Sequence, residues 1–391
     1  MSPIITTAEL AAFCERIAGA PFIAVDTEFM RETTYWPKLC LVQVATPDCA
    51  ANIDPLAEGL DLAPLLAILA DPKIVKVFHA ARQDVEIFNN LGVIPRPLFD
   101  TQIAAMAAGF GEQIAYDALV RQMLKIELDK SSRFTDWARR PLSDSQLEYA
   151  VADVTHLADL YPLLRARLET SGRLAWVTEE MDQMTDPALY DTEPENAWRR
   201  LKPKRFTPKY LSVLRGVAAW RERTAQQRDQ PRGRILKDDA IEEIASQAPT
   251  DADGLNRLRA VPKGFANSRF GPDLLEAVNE ALRNAETYAP KIERSSSPQV
   301  PAAGAVVELL KVLLKARSED AGVASKLIAT VSDLEKIAID DNADTPALHG
   351  WRREAFGEDA LRVKRGELAM VLDGNRVRVV EVRRAPRAAA D

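Results

Sequence analysis

The sequence predicts an α/β domain around one sheet, followed by two small all-α domains. Three observations predict it. Short runs rich in strand formers alternate with helical patterns over residues 1–175. An acidic, proline-containing stretch then interrupts that alternation. Beyond it the patterns are helical almost to the C-terminus, where a single hairpin follows. The length of 391 residues fits two or three domains of about 150 residues each.

Phe22-Ile23-Ala24-Val25 is the first expected strand, Leu39 to Ala45 the second, Ala50 to Ile53 the third and Ile74 to Phe78 the fourth. Helical patterns cover Asp61 to Leu69, Ala81 to Leu91, Thr101 to Ala108 and Ser143 to Leu168. The last opens on Ser143 with Gln146 three residues on, the pattern of a capping box. Thr178 to Asn196 holds seven acidic residues, two prolines and no basic residue, and reads as a solvated linker within a span of 176–204. A first helical domain is expected over 205–289, and a second over 301–366. The linker between them, 290–300, contains Ser295-Ser296-Ser297-Pro298. The two helical regions are loosely alike, which suggests duplication. In the terminal 367–391, Glu367 to Leu372 and Arg376 to Val382 flank Asp373-Gly374-Asn375 as a β-hairpin would.

With 47% hydrophobic and 28% charged residues, the chain is neither wholly disordered, nor collagen-like, nor a coiled-coil rod. Its net charge of -7 argues, on average, against a nucleic-acid partner. The distribution argues the other way. Arg199 to Lys237 holds 13 basic residues against Glu222 and Asp229, so the acidic mean conceals a strongly basic segment. Cys14, Cys40 and Cys49 are odd in number and form no CxxC pair, which excludes a disulfide framework and a zinc site and fits a reducing cytoplasm. No leader pattern is read at the N-terminus. The apolar stretch Leu62 to Ala70 is far short of the ~20 residues of a membrane span. Serine-hydrolase, phosphate-loop, zincin and dinucleotide motifs are all absent.

Three places carry candidate chemistry. Asp26 and Glu28 stand two apart at the end of the first strand, hence on one face. Two such carboxylates suit a hard cation such as Mg²⁺ or Mn²⁺, although a bare pair of this kind is more often a solvated loop feature. Tyr149 and Asp153 stand four apart on one helix face, a spacing that an ordinary amphipathic helix also gives. Asp84 lies where a strand passes into a helix, a place that also suits a simple N-terminal charge. Asp100 is expected to be a helix N-cap. His79 is either a hydrogen-bonded structural imidazole or a substrate contact.

Together, VDTEF (25–29), FHAARQDVEIF (78–88) and EYAVADVTHL (148–157) resemble, in order and spacing, the three motifs of the DEDD exonucleases. The YxxxD form of the third is similar to the tyrosine-type branch. TYWPKLCLVQ (34–43) and DWARRPLS (136–143) resemble the bacterial ribonuclease D family more closely. AAWRERTAQQRDQPRGRILKDDAIEEIA (218–245) resembles the helicase-and-ribonuclease-D C-terminal module, a small helical nucleic-acid-binding domain. VELLKVLLKARSEDAGVASKLIA (307–329) with HGWRREAFG (349–357) is similar to a second, divergent copy. Ala80-Ala81, where the family has small residues or glycine, is a mild departure.

The resemblance implies a ribonuclease-H-like exonuclease domain, a mixed sheet with flanking helices, and a 3′→5′ exoribonuclease releasing nucleoside 5′-monophosphates. It implies that Asp26, Glu28, Asp84 and Asp153 hold two divalent cations, Mg²⁺ or Mn²⁺, and that Tyr149 orients the attacking water. Phe29, Gln43 and His79 are candidate contacts to the terminal nucleotides. Arg199, Arg200 and Lys202 are candidate phosphate contacts. The implied substrates are tRNA precursors with 3′ trailers and other small structured RNAs, and the implied state is a cytoplasmic monomer away from membranes. A DNA-directed exonuclease and an RNA-binding scaffold without turnover are the alternatives. Trp220, in an apolar helix pattern, is expected in a core.

Overall fold

The computed structural model describes residues 2–129, 135–291 and 303–382; the Ser295-Ser296-Ser297-Pro298 linker and the tail past residue 382 lie outside them. Five strands, β1 (Phe22–Met30), β2 (Lys38–Ala45), β3 (Ala50–Ile53), β4 (Val75–Phe78) and β5 (Leu98–Asp100), form one sheet in the order β3-β2-β1-β4-β5. The sheet is mixed, because β1 is antiparallel to β2 and parallel to β4. β5 has three residues, too few to display a period in the sequence.

β1 runs five residues beyond the expected Val25. β2 keeps pairing with it, with Asp26 opposite Gln43 and Glu28 opposite Leu41. β4 pairs only with Phe22 to Ala24. Asp26 and Glu28 therefore lie inside a strand rather than at its exit, on a stretch supported from one side. The other side opens onto a crevice past the carboxyl end of β4, where a change of strand direction in an α/β sheet usually makes room for a ligand.

On one face of the sheet, α1 (Thr7–Ile17), α2 (Ala63–Ala70) and α3 (Arg82–Asn90) bury Leu10, Phe13, Leu65, Val85 and Phe88 against Ile23 and Val25. α1 has no counterpart among the expected helices, although Thr6 and Glu9 form a capping box at its start. On the other face, α4 (Thr101–Ala107), α5 (Tyr116–Leu124) and α6 (Asp144–Thr170) pack Ala104, Leu119, Val154, Leu157 and Tyr161 against Phe22 and Ala24. α6 starts at the expected Ser143–Gln146 capping box. The Tyr161 ring sits 4.5 Å from that of Phe22 and 4.8 Å from that of Phe99. Each side chain of this size taken from water contributes about 1.5–3 kcal/mol, so α6 is firmly fixed on the sheet.

The acidic stretch Thr178 to Asn196 is not a solvated linker throughout. Its first part belongs to α7 (Leu174–Met184), which buries Val177 and Met181 in the same core as α6. Farther on, Tyr190 is buried and donates its hydroxyl to the Met184 carbonyl at 2.7 Å. A few apolar residues at packing positions hold the segment down, and the count of charges conceals them.

The first helical module comprises α8 (Pro208–Gln227), α9 (Arg232–Ile235), α10 (Asp238–Gln247), α11 (Ala252–Asn256), α12 (Gly271–Arg283) and α13 (Ala285–Tyr288). Leu214, Val217, Ile241, Ile244, Leu274 and Val278 lie in its core. Trp220 is buried there, edge-on to Phe265 and Phe270, as expected of a core residue. The second module comprises α14 (Ala303–Ala321), α15 (Ser325–Ile328), α16 (Val331–Ile339), α17 (Gly350–Arg352), a π turn at Arg353–Gly357 and α18 (Glu358–Lys364). Both modules run from a long helix through a one-turn helix and a helix of nine or ten residues to a closing helix. At the start of each closing helix a glycine is pressed onto a backbone carbonyl. A Cβ on Gly271 would lie 2.0 Å from the Ala266 oxygen, and one on Gly357 2.2 Å from that of Ala347. The terminal hairpin is as expected, with β6 (Leu368–Asp373) and β7 (Arg376–Glu381) joined through Gly374 at φ +59°.

The modules attach differently. The second shares one hydrophobic core with the α6 face of the sheet. Trp176 stacks on Trp351 at 4.2 Å. The Arg173 guanidinium caps two helix C-termini at once, donating to Ala107 O at 2.9 Å, to Gly322 O at 3.3 Å and to Ala321 O. The first module is held by polar contacts to the β1–β2 connection. Asp229 accepts from the backbone N–H groups of Tyr35 and Trp36, and Tyr35 donates its hydroxyl to Glu222. No helix among the described residues is long and apolar enough to cross a membrane.

Candidate active site

Three elements carry the acidic residues to one place. β1 supplies Asp26 and Glu28, α3 supplies Asp84, and α6 supplies Asp153 together with Tyr149. The aim of α3 is set by Asp100. Its carboxylate accepts from Gln102 N at 2.7 Å and Ile103 N, the expected cap of α4. It also accepts from Ala80 N at 3.1 Å and Ala81 N at 2.8 Å. Those bonds hold Ala80 at φ +59°, a conformation an alanine adopts only under such restraint. The turn delivers Asp84 into the crevice beside β1, where the Thr27 hydroxyl donates to its Oδ1. On the far side, Arg140 clamps Asp54 with two 2.6 Å bonds and reaches the carbonyls of Cys40 and Trp137. This pins the lead-in to α6, and the Trp137 ring lies 6.2 Å from that of Tyr149.

The resulting cavity has a volume of about 580 Å³, and Asp26, Tyr149, Asp153, His79 and Tyr116 are in its wall. Its electrostatics are those of acids crowded together. Burial pushes Asp26 up to about 6 against the pull of the Thr27 backbone N–H. Burial, then Asp26, Asp153 and Asp84 in turn, push Glu28 up to about 9. Asp84 is held well above the usual carboxylate range by burial and Asp26. Among the described residues, the side-chain charges that act on Glu28 and Asp84 are those of acids. Among the described residues no three acidic, His or Cys side chains close into a finished cage; the four carboxylates share a field rather than a point. An all-oxygen set of like charges, with Asp26, Glu28 and Asp84 raised by burial, fits hard divalent cations.

Tyr149 is kept neutral. Burial, the nearby Asp153 and Glu28, and its own bond to the Asp153 carboxyl all raise its pKa above the usual phenol value. It is a hydrogen-bonding group here and not a base. Tyr116 is a wall residue that the motifs did not disclose. Its hydroxyl donates to the Asp153 carbonyl and its ring lies 5.2 Å from that of His79. No sequence pattern marks it, because α5 joins the site only through tertiary packing.

The expected substrate contacts fare differently. His79 lines the cavity, but both ring nitrogens face protein atoms, Thr101 Oγ1 at 3.0 Å and Ile114 O at 3.2 Å. Burial lowers its pKa, so the neutral ring donates from Nε2 to Ile114 and offers its surface to the cavity. Phe29 follows a β-bulge and is only partly buried, outside the cavity wall. Gln43 must be corrected. It is wholly buried on β2 beneath α6, opposite Asp26, and both amide atoms lack a partner. An inner strand covered by a helix offers no surface to a nucleotide. Arg199, Arg200 and Lys202 are exposed, away from this cavity.

The basic segment is less free than its charge suggests. Arg221 bonds Leu236 O and Asp238, Arg223 bonds Glu195, and Arg232 grips Glu222. Arg215 donates to Tyr288 O and lies over the Tyr288 ring.

Comparison with known proteins identifies the family. Residues 1–169 match a 3′-5′ exonuclease family model and residues 211–278 the HRDC domain. The chain is 54% identical over 382 residues to ribonuclease D of Nitrobacter hamburgensis, covering 97% of this chain and all of that one. It is 50% identical to ribonuclease D of Granulibacter bethesdensis, over 96% of each. The crystal structure of Escherichia coli RNase D, described as an exoribonuclease involved in structured RNA processing, superposes with a TM-score of 0.80 at 31% identity, covering 94% of this chain and 99% of that one. With a matching family model and relatives this similar over almost its full length, the chain belongs to the ribonuclease D family of 3′-5′ exoribonucleases.

Proposed function

We propose that this exoribonuclease works with two divalent cations, Mg²⁺ or Mn²⁺, held by Asp26, Glu28, Asp84 and Asp153, and trims 3′ trailers from tRNA precursors and other small structured RNAs. The observation that carries the reading is the set of four carboxylates from three elements, in which burial raises Asp26, Glu28 and Asp84 and Asp26, Asp84 and Asp153 all act on Glu28. Two such ions, when bound, supply the Lewis acidity that activates water and stabilises the leaving 3′-oxygen. The chain's own residues do the rest. Asp26 and Glu28 present their oxygens from one face of a rigid strand. The Thr27 hydroxyl orients Asp84. Tyr149, neutral and beside Asp153, holds the attacking water by a hydrogen bond. His79 and Tyr116 form an aromatic wall against which a terminal base packs. The products are nucleoside 5′-monophosphates, and a monomer suffices because every group named belongs to one chain.

The test is degradation of matched RNA and DNA 3′-overhangs with Mg²⁺, with Mn²⁺ and with chelator, beside equilibrium binding of Mn²⁺. Metal-dependent release of 5′-monophosphates from RNA, with two ions bound per chain, is expected. Cleavage that survives chelator, or a single bound ion, would overturn the two-cation reading, and equal loss of RNA and DNA ends would overturn the choice of RNA. A tRNA precursor trimmed no faster than an unstructured strand would remove the substrate assignment.

A further inference from the structure

A second cavity, of about 270 Å³, opens at the seam between the exonuclease domain and the first helical module. Arg31, Arg82, Arg200 and Arg232 stand in its wall, and Glu86 is the acidic residue among the lining groups. Glu86 takes Arg31 through both guanidinium nitrogens, at 2.9 and 3.0 Å. Behind the wall, Glu222 takes Arg232 in the same way, at 2.5 Å for each bond, together with the Tyr35 hydroxyl. Four guanidiniums thus face two carboxylates, which leaves positive charge in excess. Arg200 pairs with Glu222 at the longer distance of 3.6 Å, sharing that carboxylate with Arg232, and its side chain is 47% exposed. Arg200 also donates to the Asp191 carbonyl at 3.5 Å. Arg82 is exposed on the first turn of α3 and forms no ion pair with a described residue.

Planar guanidinium forks match the oxygens of a phosphate group, and more weakly hydrated Arg is better suited to this than Lys. The volume is below the ~300–1,000 Å³ of a pocket that encloses a small-molecule ligand. It suits one anionic group better than a cofactor. The position also matters. α3 bears both sites, with Asp84 and Phe88 on one face and Arg82 and Glu86, likewise four apart, on the other. The Tyr190 phenol, in the wall of the second cavity, lies in the field of Arg82, Glu86 and Asp84 at once. The basic cavity and the acidic cleft are thus the two sides of one short helix.

We propose that this seam cavity binds a backbone phosphate of the RNA strand, on the 5′ side of the bond being cut, through Arg82 and Arg200 with Arg31 and Arg232 as fixed supports. The proposal rests on the reading of the acidic cleft as the place where the 3′ end is cleaved.

A dinucleotide separates the two readings, because its one internucleotide phosphate is the one being cleaved and none remains for the seam. Wild type, Arg82→Gln and the Arg82→Gln/Arg200→Gln pair are compared on a dinucleotide and on a long single strand, with metal. Metal-dependent cleavage of both substrates by the wild type checks the underlying reading by itself. For the long strand KM should rise about tenfold in the double variant, and the plot of log affinity against log salt should flatten by about 0.7 for each lost phosphate contact. The dinucleotide should lose far less. Equal losses on both substrates would mean that Arg82 acts on the cleft through Asp84, and would overturn the proposal. So would an unaltered KM and salt slope on the long strand. Inorganic phosphate alone is the remaining arm. If it raises the wild-type Tm, and the double variant loses that response with no change in KM for the long strand, the cavity holds a free phosphate and the strand assignment falls.

Discussion

Glu28 and Glu222 are both buried glutamates, and their surroundings drive them in opposite directions. At Glu28 burial raises the pKa, and Asp26, Asp153 and Asp84 push the same way. At Glu222, with 1% of its side chain exposed, burial also pushes up, but the bonds from Arg232 and Tyr35 and the charges of Arg232 and Arg200 outweigh it and leave the pKa lowered. The sign of the neighbours separates the two, not the depth. An acid among acids is suited to cations; an acid among arginines joins two parts of a chain.

The comparison breaks first, and hardest, at the cleft. Asp153→Asn should reduce kcat by about a thousandfold while leaving binding of a long RNA in place. A near-normal rate would put Asp153 in the same class as Glu222. On the other side, Glu222→Ala removes the carboxylate from a buried pair and should lower unfolding free energy by about 3 kcal/mol. A denaturant midpoint that does not move would reduce the Tyr35–Glu222–Arg232 cluster to a surface decoration. Tyr149→Phe should lower kcat by about tenfold to a hundredfold, with Mn²⁺ affinity intact. A change confined to KM would make Tyr149 a packing residue.

The smallest effect sharpens the comparison through its sign. Glu28 has a folded pKa raised from 4.5 to about 9, so the folded chain binds more protons than the unfolded one between those values. Its contribution is complete below 4.5 and is lost as pH rises toward 9. Glu222 has a lowered folded pKa, so its contribution is present above 4.5 and is lost as pH falls through the folded value. In chelator, Tm should therefore drift down between pH 5 and 9. Mg²⁺ should reverse the drift by displacing protons, and Glu28→Gln should flatten it. A drift of the same size in Glu28→Gln would assign it to other groups.

Much of the site was legible in the chain because its chemistry is local in spacing. Asp26 and Glu28 needed only the two-residue period of a strand, Tyr149 and Asp153 only the four-residue neighbourhood of a helix, and Asp100 only its place before one. What eluded the sequence depends on distant partners. The full length of β1 follows from pairing with β2. Gln43 is a polar residue in a strand-like run, and nothing near it reveals that α6 will cover it. Tyr116 enters the wall from α5, and Val177 and Met181 are anchored by a core assembled from both ends of the chain. The charge of Arg199 to Lys237 is visible in the sequence as a sum, but which of its arginines are paired is decided by Glu195, Glu222 and Asp238.

The core that joins the second helical module to the exonuclease domain also limits how far this enzyme is modular. The Ala324 N–H donates to Met106 O in α4, and Gln102 of the same helix lines the active cavity. Removing the chain from residue 303 onward would take Trp351 off Trp176, the Ala324 bond off Met106 and the distal share of the common core away from the exonuclease domain. The catalytic part is thus not a free-standing cassette. Its heat denaturation and that of the distal module should be a single cooperative event, and exchange of that module between relatives should succeed only when Arg173, Trp176 and the α4 surface are exchanged with it.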